Sequence, residues 1–535
     1  MASQDLSEMH DATWPPGTVA LEDIQNLAQG VILQPPPTED PNDPLNWSKP
    51  RKALNFFLAS LYSLFTFVLL DIGTVIWGPL NTELGISYSN LNNSFATNCA
   101  GLAVGCIFII PFAYKYGRRP VYLLSLIVQL ASAIWMAKMK TTWEVLVVNI
   151  VAGLGGAVSE TIVQMTVKDL FFVHQRATMN GLYLSMVIVG TFLAPVPAGY
   201  AAISQGWPWI WWWTAILLGI TLVAFVFFFE ETKYVPVLNG RSRSVSLGAE
   251  VDTKQVEESG RKEPSASETS QVDQVPERRQ RSYRQRMALS HKTDAPIVRH
   301  FWQPFLVLVT FPAVAYTAIC YGALLAWFSV LATTQSTYLL SPPYNFQATG
   351  VGLFSIAPFI GAVIGCVIGG PLNDWWILFM SKRNNGIFEP EYRLYLAIPT
   401  IILSPIGILT FGLGLAKGLP WIVLAVGSAL YGLALTILSD VTLTYVTDCY
   451  QDIVGDALVA VTFVRNTLAT IIVFALTPWI NAIGLYNMFV CVACLSVAVN
   501  LLTIPMLIYG KRARAMTATK YRQMAMLQPD HRSFL

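Results

Sequence analysis

Charge is what this sequence of 535 residues lacks. Aspartate, glutamate, lysine and arginine together make up 12% of it, where soluble globular chains run at about a quarter. Histidine is scarce too. The five present (His10, His174, His291, His300 and His531) fall in tails or loops and form no box, so the metal cluster of a membrane desaturase is not expected. No HExxH or GxSxG occurs, which argues against a membrane protease. No GxxxxGK[ST] occurs either, which argues against an ATP-driven pump. The seven cysteines (Cys99, Cys106, Cys320, Cys366, Cys449, Cys491 and Cys494) fall in or beside apolar stretches and form no secreted-type framework, so they read as buried free thiols. The opening MASQDLSEMHDATWPPG is polar and acidic, without the basic start and apolar run of a secretory leader. No metal, cofactor or catalysis is expected. The net charge of +2 is uninformative in itself; what matters is where the charges sit.

What fills the chain is apolar, with 54% hydrophobic residues. Stretches long enough to cross a bilayer, about 17–25 residues each, lie near 54–79, 93–113, 120–138, 143–167, 180–203 and 209–229. Six more lie near 304–331, 346–372, 394–415, 419–443, 456–480 and 485–509. The expected fold is an all-α membrane protein of twelve transmembrane helices, in two pseudo-symmetric six-helix bundles at 51–230 and 301–510. Residues 231–300, rich in Ser, Glu, Arg and Gln, cannot bury a core and read as a disordered linker. Residues 1–50 read as a disordered tail and 511–535 as a basic tail. The loops IPFAYKYGRRP (110–120) and GPLNDWW (370–376) follow the second span of each half, as an internal duplication requires.

Basic residues set the orientation. With the N-terminus inside, Lys115, Arg118, Arg119, Lys168, Arg176, Lys382, Arg383 and Arg393 fall in inside loops, and only Lys138, Lys140 and Lys417 fall outside. Both tails and the linker are therefore expected in the cytosol, with the cell membrane as the site and the vacuolar membrane as the alternative. The sequon Asn92-Asn93-Ser94 then lies outside, which makes Asn92 a glycosylation candidate.

Twelve spans, a hydrophilic linker and the YGRRP turn resemble the major facilitator superfamily over most of residues 45–510. DPNDPLNW before span one, KDLFFVHQRATMNGLY entering span five, RNNGIFEPEYRL entering span nine and YVTDCY after span ten are more specific. Together they are similar to the fungal drug:proton antiporters with twelve spans, near their polyamine- and histidinol-transporting branch. The resemblance implies a monomeric carrier in the lipid bilayer that binds a small molecule and no nucleic acid, with the proton gradient as energy source. It also implies gating loops. The family's G-x-L-x-D-R-x-G-R-R survives as Lys115, Gly117, Arg118 and Arg119, but Ile110 and Tyr114 stand at its glycine and aspartate. The second copy keeps Gly370, Leu372 and Asp374. The latch of the first half must therefore differ, and its arginines also serve as positive-inside anchors. In span four the family's proton-linked arginine is replaced by Asn149, which carries no charge. The antiporter signature G-x-x-x-G-P-x-x-G-G of span five is matched by Gly190, Ala194, Pro195, Ala198 and Gly199. These read as a packed, bent hinge against GAVIGCVIGG (361–370) of span eight.

Ionisable residues inside spans are costly and usually face a cavity or a partner. Asp71, Glu160, Asp440 and Arg465 qualify. Asn149, Gly153, Gly156, Glu160 and Gln164 share one helical face, which reads as a cavity lining or as a small-residue packing seam. Asp71 reads either as a functional carboxylate or as a cap at the break made by Gly73, Gly78 and Pro79. Asp440 and Arg465 lie at similar depth and are expected to pair. Tyr183, Tyr316, Tyr321 and Trp327 are pocket candidates, whereas WPWIWWW (207–213) reads as an interfacial belt.

The expected function is secondary transport by alternating access, as proton-coupled efflux of a xenobiotic or secondary metabolite. The alternative is proton-driven uptake of polyamines or related organic cations, with Asp71 and Glu160 as counter-charges. A transport-dead sensor on the same fold is the reading of another class.

Overall fold

The computed structural model describes residues 14–20, 42–234, 283–287 and 297–526. Among them, eleven helical stretches are long and apolar enough to cross a membrane. Spans one to six are Lys49–Leu84, Tyr88–Tyr116, Arg118–Lys138, Thr142–Leu170, Thr178–Ser204 and Pro208–Phe228. Spans seven to ten are Pro312–Tyr338, Ala348–Arg383, Pro390–Ala416 and Trp421–Cys449. The last stretch, Gln451–Met526, runs for 76 residues, far more than a bilayer needs. It breaks at Gly484, where φ is +80° and ψ is 158°, a conformation that glycine adopts without a Cβ penalty. The chain turns back there. Gly322 of span seven packs on Arg465, while Cys320 and Tyr316 meet Val499 and Thr503 farther along. The stretch therefore holds spans eleven and twelve, and the count is twelve.

Span seven begins later than the apolar run suggests. Ile297–Thr310 is a separate helix, and span seven starts at Pro312, in its first turn. A proline there removes the N–H that would have continued the earlier helix.

Both tails are more ordered than their composition implies. Val19–Ala20 pairs antiparallel with Ile387–Phe388, and Arg514 donates to the carbonyl of Pro16 and to the Thr18 hydroxyl. Residues 14–20 are thus docked on the second half. The helix of span twelve continues to Met526, because KRARAMTATKYRQ is rich in good helix formers and its basic residues find acids. Arg514, fully buried, forks onto Glu391 at 2.9 and 2.6 Å, and Lys511 reaches Glu389 at 2.5 Å. Glu230 to Lys233, at the first linker boundary, belong to the first bundle. The remaining tail and linker residues, 1–13, 21–41, 235–282, 288–296 and 527–535, lie outside the described residues.

The tails and the basic loops share one face, here the tail face. On the opposite face the two bundles are shut. A methyl on Gly199 of span five would stand 2.6 Å from the Ala348 carbonyl, and Gly352 of span eight packs on Pro195. Asn92 of span two donates to Thr477 of span eleven at 3.2 Å.

Candidate functional site

Between the bundles lies a cavity of about 1250 Å³. Span one supplies Asp71, span four Glu160 and Gln164, span five Tyr183, span seven Tyr321, span ten Asp440 and span eleven Arg465. Spans from both halves therefore converge, as alternating access around one site requires.

At the centre is an ion pair across the halves. Arg465 Nη2 donates to Glu160 Oε1, and the two residues are 7% and 4% exposed. The second Glu160 oxygen accepts from Asn466 Nδ2 at 2.8 Å, with the Cys106 thiol 3.8 Å away. Arg465 also donates to the Tyr321 hydroxyl at 2.9 Å and lies over its ring at 4.9 Å. Gly322 admits the arginine's backbone, for a methyl there would stand 3.2 Å from Arg465 Cα. A buried charge pair persists when its remaining donors and acceptors are satisfied, and this network does that.

The expected pair of Asp440 with Arg465 is not formed. Arg465 points across the interface to Glu160, whereas Asp440 packs beside Gly369 of span eight. Neither Asp71 nor Asp440 has a lysine, arginine or histidine within 4.0 Å among the described residues. Around them stand Phe95, Phe192, Phe328, Tyr183 and Tyr321. The lining thus carries three carboxyl groups, Asp71, Glu160 and Asp440, and one guanidinium.

Other expected residues separate from this site. Asn149 donates to Val145 O at 2.8 Å and faces a smaller cavity with Gly73, Trp77 and Trp211. It sits just over three turns before Glu160 on its helix and does not line the main cavity. Tyr316 bonds Thr503 at 2.9 Å inside the second bundle, and Trp327 is buried in a hydrophobic cluster of that bundle; neither lines the cavity. The Tyr183 hydroxyl donates to Ser159 O at 2.9 Å while its ring lines the wall. Asn92 does not fit a glycan site: it is 5% exposed, lies within the span-two helix and donates to Thr477.

The gating loops are tied mainly within their own halves. Gly117 has φ +106° and ends span two. Beside it Glu231 accepts from the backbone N–H groups of Arg118 and Arg119 at 2.8 and 3.0 Å, capping span three. Arg118 reaches Asp169 at 3.2 Å, Arg119 reaches the carbonyls of Val226 and Met287, and Lys115 lies over Tyr116. In the second half Arg393 bridges Asp374 at 3.2 Å and Asp448 at 2.5 Å, while a methyl on Gly370 would meet nothing within 4 Å. The contact between halves comes from Tyr114, where the family pattern has aspartate. Its ring stacks on His300, centroids 4.4 Å apart and 8° from parallel, and its hydroxyl lies against Gly455 at the start of span eleven.

The hinge segment is bent by a π-helical turn, Val189–Leu193, closed by Ala194 N–H to Val189 O at 3.2 Å. Pro195 starts the helix that follows, so its missing donor is not lost. Gly190 packs on Leu64 and Phe67 of span one. Gly199 packs on Ala348, not on 361–370. That glycine-rich run serves span ten instead, with Gly361 on Ala429 and Gly365 on Thr436.

The sequence reading missed Asn466, although it adjoins Arg465 in an otherwise apolar run. It also gave no role to Glu231, Asp169, Asp448 and Glu391, although the last three lie inside the motifs KDLFFVHQRATMNGLY, YVTDCY and RNNGIFEPEYRL. Among the described residues no three His, Cys, Asp or Glu side chains gather to hold a metal ion.

Two bundles around a shared cavity, with a charge pair across the interface, are the architecture of a membrane carrier. The chain belongs to the major facilitator superfamily, whose model matches residues 54–474. It is 34% identical to an uncharacterised MFS-type transporter of Schizosaccharomyces pombe, over 92% of this chain and 89% of the relative. It is 30% identical to Protein HOL1 of Saccharomyces cerevisiae, over 96% and 95%, and 24% identical to the efflux pump radE of Floropilus chiversii, over 93% and 87%. In fold it is similar to the proton:xylose symporter XylE, with a TM-score of 0.58 at 13% identity, covering 86% of this chain and 97% of that one.

Proposed function

We propose that this chain exchanges a small organic cation for protons across a membrane, with the tail face in the cytosol and export as the direction. The observation that carries the reading is Asp71 with Asp440, two carboxylates with no basic partner among the described residues, in an aromatic-lined chamber. Such carboxylates are costly unless something positive joins them. A cation or a proton can do so, and a single carboxylate holds one or the other. That competition makes exchange. The aromatic faces add attraction for an organic cation. Glu160 has a different part. While ionised it holds Arg465 and so ties the halves; a proton on it weakens that tie and lets them rock.

A second reading, uptake, is favoured by the same separation. If the proton rides on Glu160 while the cation stays on Asp71 and Asp440, both move together. Flux decides. In proteoliposomes, spermidine and amphipathic cationic drugs are offered under an imposed pH gradient. Exchange predicts accumulation on the acidic side; co-transport predicts the reverse. Asp440→Asn should remove the gradient response in either case. No response from any cation in the wild type contradicts the proposal and leaves the sensor reading.

A further inference from the structure

A second compartment of about 590 Å³ lies toward the opposite face. It shares Asp71, Phe95, Thr191, Phe192 and Phe328 with the main cavity. Its own walls set Thr74, Gln335, Ser336, Ser355 and Ser428 among apolar residues such as Leu331 and Pro358. Phe192 and Phe328 meet edge to face with centroids 5.4 Å apart. These two rings form part of the partition between the compartments.

One hydroxyl there has no structural task. Serines within a helix commonly satisfy themselves on the carbonyl four residues back, as Ser329 and Ser439 do. Ser428 is 3% exposed, and its Oγ has no hydrogen-bond partner among the described residues. A buried polar atom left so is destabilising, and a ligand in the compartment would relieve it. Ser428 and Asp440 both lie on span ten; twelve residues of helix separate them by about 18 Å. Asp71 opens on both compartments between them.

Building on the reading of the main cavity as a cation site, we infer that the outer compartment is a second binding subsite. It takes the far, hydrogen-bond-donating end of an extended linear molecule whose cationic end rests at Asp440, with Asp71 serving the stretch between. The slender middle of such a molecule passes the phenylalanine partition. A compact cation occupies the main cavity alone.

The test uses the purified full-length protein in lipid nanodiscs and calorimetric titration with α,ω-diaminoalkanes of increasing length and the matching n-alkylamines. In the wild type, the diamine should outbind its monoamine only beyond a threshold length. Ser428→Ala should weaken the long diamines about tenfold, the loss of one charged hydrogen bond, and leave short amines unchanged. Ser428→Leu, which fills the compartment, should abolish the length preference; retained binding of short amines shows that it folds. If Ser428→Leu preserves the length preference, or both variants weaken all amines alike, the subsite is refuted. Asp440→Asn separates the two levels. Should it leave every amine's affinity unchanged, the cation reading of the main cavity fails, and the subsite with it. Should it weaken them all while Ser428→Leu keeps the length preference, only the subsite fails.

Discussion

Glu160 belongs to one half and Arg465 to the other, so their bond is both a charge pair and a mechanical tie. Removing one partner leaves a buried charge alone, which typically costs about 3–5 kcal/mol. Arg465→Met should therefore lower the thermal midpoint sharply. The double variant Arg465→Met with Glu160→Gln should regain a large part of the loss; a strictly additive result in that cycle contradicts the coupling. Glu160 was legible in the sequence because small and polar residues recur on its helical face. Its partner was not. Depth in the membrane placed Asp440 near Arg465, but which faces of spans ten and eleven turn toward each other is set by packing between bundles. Asn92 shows the same limit, since a sequon says nothing of burial. Treatment with N-glycosidase should leave the electrophoretic mobility of the protein unchanged, because the Asn92 amide is engaged by Thr477.

At the scale of elements, span five carries the argument. Its prolines and small residues announced a bend and a close approach. The π-helical turn and the contact with Ala348 could not be read from them, because both depend on where span eight begins to pack. Toward the opposite face the segment is clamped; toward the tail face Gly181, Leu182 and Ser185 are exposed. Gly199→Leu drives a side chain into the Ala348 carbonyl and should force the bundles apart there. Cys99 lines the main cavity and reports the change. A membrane-impermeant thiol reagent applied from the opposite face should label Cys99 faster in Gly199→Leu, read by mass spectrometry at that residue. Equal labelling would show that the clamp does not close this face. Span three offers a simpler case. Glu231 caps its first turn, and Glu231→Ala should cost about 1 kcal/mol, seen as a modest fall in thermal midpoint.

For the whole molecule, twelve spans in two bundles were legible because bilayer thickness fixes span length and the loops repeat. The behaviour of the tails was not, since composition measures the ability to form a core and says nothing of docking on one. Residues 14–20 pair with the second half, whereas the first span belongs to the first. Arg514→Ala removes their anchor and strands Glu391. Residues 14–20 should then become open to protease, with the transport cavity unaffected.

Competition of cation and proton for the carboxylates of one cavity is measured as proton release on cation binding, in weakly buffered solution, with the purified carrier and spermidine. Competition predicts that protons appear as spermidine binds, fewer at high pH where the sites are already bare, and fewer in Asp71→Asn and Asp440→Asn. Binding without proton release at any pH would contradict it.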